Sequence, residues 1–329
     1  MESYKSKLNI YETQKAIGLI KRVFEDQLSG ALNLRRVSAP LFVESGKGLN
    51  DDLNGFERPV SFDIAGTDKI AHVVHSLAKW KRVALHNYGF AAGEGLYTDM
   101  NAIRRDEVMD NIHSIYVDQW DWEIVIERDN RNLEFLYGIV RSICGAISNT
   151  LTTLKHAFPQ ITINLKREVT FITSQELEDL YPDLTPKERE HAFAKKHGTI
   201  FISQIGKYLK SGGRHDGRSP DYDDWELNGD ILYWDELLGI SLELSSMGIR
   251  VDADSLDKQL TIAGADKRRG LLYHSMLLNN KLPLTIGGGI GQSRLCMLLL
   301  EKAHVGEVQS SIWDEETLQK CAEAGIRLL

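Results

Sequence analysis

The chain has 329 residues, 42% of them hydrophobic, enough to bury a large core as one big domain or two. A formal net charge of −8 and a pI near 5.7 argue against a general nucleic-acid surface, which needs a basic face, and favour small metabolites as partners. Three scattered cysteines (Cys144, Cys296, Cys321), a polar start and no apolar run of membrane length point to a reducing cytoplasm rather than a disulfide-built, thiolate-zinc or membrane protein.

Apolar residues Ile17, Ile20, Phe24 and Leu28 recur at helical spacing and predict an amphipathic helix over Ile10–Leu28. Arg35–Val43 reads as a strand that Pro40 breaks or confines to a sheet edge. The turn-rich stretch Gly46–Gly55 carries two adjacent acids, Asp51 and Asp52, which residue type alone would leave to solvent. Phe62–Val74 resembles paired strands around Gly66, and His75–Tyr88 reads as a helix with Lys79, Lys81 and Arg82 near its start. Cations there oppose the helix dipole by roughly several tenths of a kcal/mol. A bound anion would relieve that, so Lys79 and Lys81 are candidate ligand contacts. His72 and His75 have metal-like spacing but no placed carboxylate partner and are read as structural.

Ile112–Ile126 is rich in β-branched and aromatic residues and alternates, as a core strand does. Its polar members Asp118, Gln119, Asp121 and Glu123 need partners, and a substrate is one candidate. Arg104 and Arg105 stand just before it. A long helix over Asn132–Phe158 and strand-like Gln160–Ser174 follow, then two short helices capped by Ser174 and Thr185. After a strand at Thr199–Ile205, the polar loop Ser211–Trp225 has the length and character of a functional segment. The next stretch alternates as at least two strands and sets Asp230, Glu243, Ser245, Ser246 and Arg250 on or beside a sheet. Charges there are expensive unless paired, and a metal–phosphate complex would pair them. Asp252–Lys281 is helical.

The chain then reaches LTIGGGIGQSRLCMLLLE, Leu284–Glu301: an apolar strand, a break at Gly287, Gly288, Gly289 and Gly291, one arginine, Arg294, and an apolar helix. Glycines let backbone lie flush against a flat ligand or take positive φ, and Arg294 aims a cation at the same place. A nucleotide fits; a tight turn feeding a core helix is the plain alternative. A Walker loop is excluded because Gln292, Ser293 and Arg294 stand where Lys and Ser/Thr belong, and a dinucleotide fingerprint because Arg294 replaces its third glycine.

Three segments in order, LRRVSAPLF, RRDEVMDNIHSIYVDQWDWE and GGGIGQSRLCMLLL, resemble the three motifs of class II aminoacyl-tRNA synthetase catalytic domains. With HSLAKWKR, GEGLYTDMNAIRRDE, SQELEDLYPDL, RHDGRSPDYDDW and ELSSMGIRVD, the whole chain is similar to the ammonia-dependent asparagine synthetases, the aspartate-ammonia ligases related to that class. The resemblance implies an α+β fold with a central, mostly antiparallel sheet flanked by helices. It implies one catalytic domain over 1–329 without an anticodon-binding domain, and a homodimer through the segment around Pro40. The implied reaction is ATP-dependent amidation of L-aspartate by ammonia through β-aspartyl-AMP, releasing AMP and pyrophosphate. A non-catalytic paralogue acting as a regulatory amino-acid binder is the alternative.

Residue roles carried over by motif position are as follows. Arg104 would hold the α-phosphate and Arg294 the γ-phosphate, with Gly289 and Gly291 under the nucleotide. Asp230 and Glu243 would ligate Mg2+, which prefers oxygen ligands. Lys81 and Arg250 would take the α-carboxylate of aspartate with Ser76 and Ser246 in support, and Asp51, Gln119 and Asp223 would line the amino-acid pocket. Asp51 is assigned as the base that takes a proton from ammonium. Glu2, where a glutamine-dependent enzyme carries cysteine, predicts that ammonia comes from solution.

Overall fold

The computed structural model describes residues 4–53 and 55–329, so Glu2 lies outside the described residues. The strands are β1 (Leu34–Arg36), β2 (Phe42–Glu44), β3 (Ser61–Asp63), β4 (Ile70–Val73), β5 (Gly95–Ile103), β6 (Tyr116–Val125), β7 (Thr170–Thr173), β8 (Thr199–Ser203), β9 (Asp223–Asp235), β10 (Ile240–Arg250) and β11 (Thr285–Gly291). The helices are α1 (Ile10–Leu32), α2 (Ala78–Tyr88), α3 (Leu133–Ala157), α4 (Ser174–Leu180), α5 (Pro186–His197), α6 (Ala253–Ile262), α7 (Leu272–Leu278), α8 (Gln292–Leu299) and α9 (Glu315–Glu323).

Eight strands form one sheet in the order β1-β5-β6-β11-β10-β9-β8-β7, and β2-β4-β3 form a small second one. The large sheet is antiparallel except for the β1–β5 and β7–β8 pairs. Pro40 falls in the break between β1 and β2, which join different sheets. The expected α+β architecture, a large mixed sheet flanked by helices, is therefore what the chain builds.

Period-two alternation gives this sheet two unlike faces. On β6, Trp120, Trp122 and Ile124 join the main core with Phe24 and Leu28 of α1 and Ile143 and Ile147 of α3. The Phe24 and Trp120 rings meet at 4.7 Å between centroids. The intervening residues Gln119, Asp121 and Glu123 must then point to the opposite face. Each of them stands across the ladder from a glycine of β11: Gln119 from Gly291, Asp121 from Gly289 and Glu123 from Gly287. α1 starts with a capping box between Asn9 and Glu12 and α3 with Asn132 as cap, so both core helices begin where side chains can satisfy free N–H groups.

Several local expectations need correction. Read locally as a turn, Gly287–Gly291 are instead the body of β11, the sheet floor that the resemblance implies, and none of them has positive φ. Their use is closeness: a Cβ on Gly287 would stand 2.8 Å from Glu123 Oε2 and one on Gly289 2.7 Å from Asp121 Oδ1. Thr173, not Ser174, caps α4, because Thr173 has the extended backbone that lets its hydroxyl accept from the Glu176 N–H. Only Thr170–Thr173 of Gln160–Ser174 is strand, and α2 begins at Ala78 rather than His75. Asp252 is the cap of α6, and Asp252–Lys281 is two helices joined by a 3-10 turn rather than one run.

Candidate active site

A cavity of about 520 Å³ opens on the glycine-bearing face of the sheet. Its wall collects Asp51, Ser76, Lys81, Arg104, Gln119, Asp223, Glu243, Ser246, Arg250, Gly289, Gly291 and Arg294. Twelve predicted residues from seven separate stretches of sequence thus converge on one space. Asp230 is not on the wall; it is buried behind it, ion-paired with Arg218, which is.

Two basic side chains on the cavity wall, Lys81 and Arg250, are buried. Arg250 donates to Glu123 Oε2 through Nη2 (3.1 Å) and Nε (3.3 Å) and to Asp223 through Nη1. Burial pulls its guanidinium down, but Glu123 and Asp223 outweigh burial and hold it charged. Burial also raises the Asp223 carboxyl above the usual range, against the pull of Arg250. Lys81 Nζ lies 3.2 Å from Asp121 Oδ2 and donates to the Gly288 carbonyl at 2.9 Å. Burial lowers its pKa, Asp121 opposes the shift and Arg250 adds to it. A further anion near Lys81 and Arg250 would therefore meet two desolvated cations that Asp121, Glu123 and Asp223 hold in place.

The expectation that Lys79 also meets a ligand does not hold. Lys79 is fully buried away from the cavity, 3.2 Å from Asp221 Oδ2. Its anion is internal, as Asp121 is for Lys81, so the protein's own carboxylates offset the helix-start cations. His75 is structural as expected: its Nδ1 meets the Asp51 carbonyl at 3.0 Å. Asp51 itself is buried and fixed, its Oδ2 accepting from Ser76 Oγ (2.8 Å) and its Oδ1 from the Leu53 N–H (2.9 Å).

Two further arginines reach the same cavity wall. Arg104 follows β5 and donates to the His75 carbonyl at 3.4 Å, while its buried Nε has no protein partner. Arg294, in the first turn of α8, donates to the carbonyls of Glu243 (3.2 Å) and Ile112 (3.4 Å), which fixes it between β10 and the segment after β5. Asp230 Oδ1 is buried without a partner. Burial, with Glu243 nearby, holds the Asp230 carboxyl well above the usual carboxylate range despite Arg218. Among the described residues no three His, Cys, Asp or Glu side chains converge on a metal position. Asp230 and Glu243 offer oxygen donors with one orphaned atom, a set that fits Mg2+ when phosphate and water complete its shell.

Sequence reasoning passed over Arg218, Tyr222 and the partners of Asp118, which are Ser293 and Gln309. Asp118 Oδ2 accepts from Ser293 Oγ at 2.8 Å and its Oδ1 from Gln309 Nε2 at 3.2 Å, tying the start of α8 to β6. The polarity of Ser211–Trp225 marked the loop holding Arg218 and Tyr222, but no local pattern says which of its side chains turns inward.

The model of the aspartate-ammonia ligase family matches residues 11–325. Aspartate-ammonia ligases of Clostridium perfringens and Bacillus cytotoxicus are 60% and 57% identical to this chain, covering 100% and 99% of it and 98% and 99% of their own lengths. In fold it is similar to asparaginyl-tRNA synthetase of Entamoeba histolytica in complex with asparaginyl-adenylate, with TM-score 0.65, 12% identity and coverage of 91% of this chain and 66% of that one. The corresponding enzyme of Pyrococcus horikoshii, also complexed with asparaginyl-adenylate, gives TM-score 0.64 at 15% identity over 91% and 70%. The sequence motifs, the synthetase-like sheet and a cavity lined by the residues those motifs supplied agree with these matches, and the chain belongs to the aspartate-ammonia ligase family.

Proposed function

We propose that this protein makes L-asparagine from L-aspartate, ammonia and ATP in two steps inside the one cavity. The observation that carries the reading is that one cavity on the glycine-bearing sheet face is lined both by the buried pair Lys81 and Arg250 and by Arg104 and Arg294. The first pair suits an amino acid with two carboxylates and the second a triphosphate.

A carboxylate resists attack because its leaving group would be oxide, so it must first be activated. In the first step a β-carboxylate oxygen of aspartate bonds to the α-phosphorus of ATP, and the bond to pyrophosphate breaks. Arg104, with Nε lacking a protein partner, is poised to meet charge that grows on the α-phosphate. Arg294 would hold the γ-phosphate, and the backbone of Gly289 and Gly291 would form the floor beneath the nucleotide. Lys81 and Arg250 would fix the α-carboxylate, supported by Ser76 and Ser246, with Gln119 and Asp223 beside the amino acid.

In the second step ammonia bonds to the acyl carbon of β-aspartyl-AMP and the bond to the phosphate oxygen breaks, releasing AMP. Ammonia in neutral water is mostly ammonium, which cannot attack, so a base must remove a proton. Asp51 is that base: buried, and oriented by the Ser76 hydroxyl and the Leu53 N–H. Asp230 and Glu243 would hold Mg2+, which when bound neutralises triphosphate charge. The exposed apolar residues Leu41, Phe42, Phe62 and Ile70 lie on or beside the small sheet next to Pro40 and support pairing of two chains there. No helix among the described residues is long and apolar enough to cross a membrane, in keeping with work on free metabolites in the cytoplasm.

Incubation with aspartate, ATP, Mg2+ and ammonium tests the reading. Asparagine, AMP and pyrophosphate should form in equal amounts; folded protein that releases no pyrophosphate contradicts it.

A further inference from the structure

We propose that Arg218 is an internal stand-in cation: it offsets the charge of Asp230 beside Glu243 while no metal is bound, then turns to the triphosphate when a divalent ion takes Asp230. The inference rests on the assignment of Asp230 and Glu243 to Mg2+.

Three observations carry it. Arg218 lies on the cavity wall with Glu243, and its guanidinium is ion-paired with Asp230, so it occupies the space between that carboxylate and the cavity. The other oxygen of Asp230 has no partner, although the side chain is buried. The guanidinium thus leaves half of the buried Asp230 carboxylate unsatisfied, as a placeholder does.

The third observation is how the loop is tied down. On one side, Ser211 Oγ donates to Glu178 Oε1 (2.7 Å) and His215 Nε2 meets Glu190 Oε1 (3.0 Å). On the other, Ser219 Oγ donates to Asp221 (2.7 Å), which is itself locked by Lys79, His274 and Arg268. Between these anchors stand only residues 216–218. There Arg218 bonds to Asp216 (2.8 Å) and the Gly217 carbonyl (2.9 Å), both within the tip. Among the described residues, Asp230 is the one partner that ties the Arg218 side chain to the sheet. A metal on Asp230 would repel Arg218, and the nearest uncompensated anion in the cavity would be the nucleotide's phosphates. Release therefore needs a change at the tip alone.

The test uses Mn2+, a spectroscopic stand-in for Mg2+, titrated into the full-length protein with and without ATP. Without nucleotide, Arg218→Gln and the similarly sized Arg218→Met should each bind Mn2+ about tenfold more tightly than wild type, because the competing cation is gone. The KM for ATP should rise in both, and Asp230→Asn added to either should abolish the gain. Should both variants bind Mn2+ as wild type does while Asp230→Asn weakens it in the ATP complex, Arg218 is not a stand-in although the metal assignment stands. If Asp230→Asn leaves Mn2+ binding in the ATP complex unchanged, the metal assignment itself fails and the proposal with it. A variant that does not fold leaves the other to decide, folding being checked by thermal unfolding, and Arg218→Lys, which keeps a charge, should stay closer to wild type than either.

Discussion

Gly289 faces Asp121 across the β6–β11 ladder so closely that a single added carbon would stand 2.7 Å from Asp121 Oδ1. The missing side chain is what allows Asp121 to lie beside Lys81 on this face. Gly289→Ala should therefore push Asp121 and Gln119 out of place and raise the KM for aspartate at least tenfold, roughly 1.4 kcal/mol of lost binding, with far-ultraviolet circular dichroism unchanged. Gly291→Ala, whose added carbon would come no closer to a neighbour than 3.3 Å, at Arg294 Cβ, should cost less. Equal effects from the two substitutions would show that closeness to Asp121 is not what matters.

Arg104 brings a buried Nε with no protein partner to the cavity wall. Arg104→Leu should lower kcat by ~10²- to 10³-fold, the scale of losing one transition-state donor. Steady-state turnover within threefold of wild type, roughly 0.6 kcal/mol, would remove Arg104 from the phosphate's surroundings.

Lys81 supplies a pH dependence. Its pKa lies below the usual lysine range, chiefly through burial. An aspartate carboxylate held by the ammonium form should then bind progressively more weakly as pH rises through that lowered value, with proton uptake on binding at high pH. Calorimetric titration of aspartate without ammonium, over about pH 7 to 10, reads this directly. Affinity constant up to the ordinary lysine range would contradict it. Stability of the free protein moves the other way. The unfolded chain keeps this proton to higher pH than the folded one does, so the contribution from Lys81 rises with pH between the lowered value and the ordinary one.

Arg250 sits between Glu123 and Asp223 with all three side chains buried. Arg250→Met would leave two buried carboxylates without their cation. A loss of about 3–5 kcal/mol in urea unfolding is expected, larger than ordinary core substitutions produce. A loss below about 1 kcal/mol would mean that the acids find other partners.

The elements most readily read in the sequence are those whose side chains settle their own geometry. Ile20, Phe24 and Leu28 mark α1, Asn132 caps α3, Thr185 caps α5, and the Trp120–Glu123 alternation fixes which face of β6 is polar. The cavity residues were within reach because contiguous motifs carry most of them. What stayed out of reach depends on distant partners. Lys79 and Lys81 are two residues apart on α2, yet one is locked to Asp221 and the other looks into the cavity. Only the fold decides between them. The glycines of β11 read locally as a turn, because the acids that crowd Gly287 and Gly289 come from β6, far away in sequence. Arg218 is the same kind of case: its partner Asp230 belongs to another element, and only the assembled structure sets the two together.

In the proposed reaction aspartate is activated as an acyl-adenylate before ammonia attacks. Aspartate labelled with 18O in its β-carboxylate tests it most directly, with ATP, Mg2+ and ammonium present and the products analysed by mass spectrometry. The carboxylate oxygen that attacks the α-phosphorus stays with phosphorus when the amide forms, so one 18O should appear in AMP for each asparagine made. Label in inorganic phosphate with ADP as co-product, or asparagine formed with unlabelled AMP, would contradict the account.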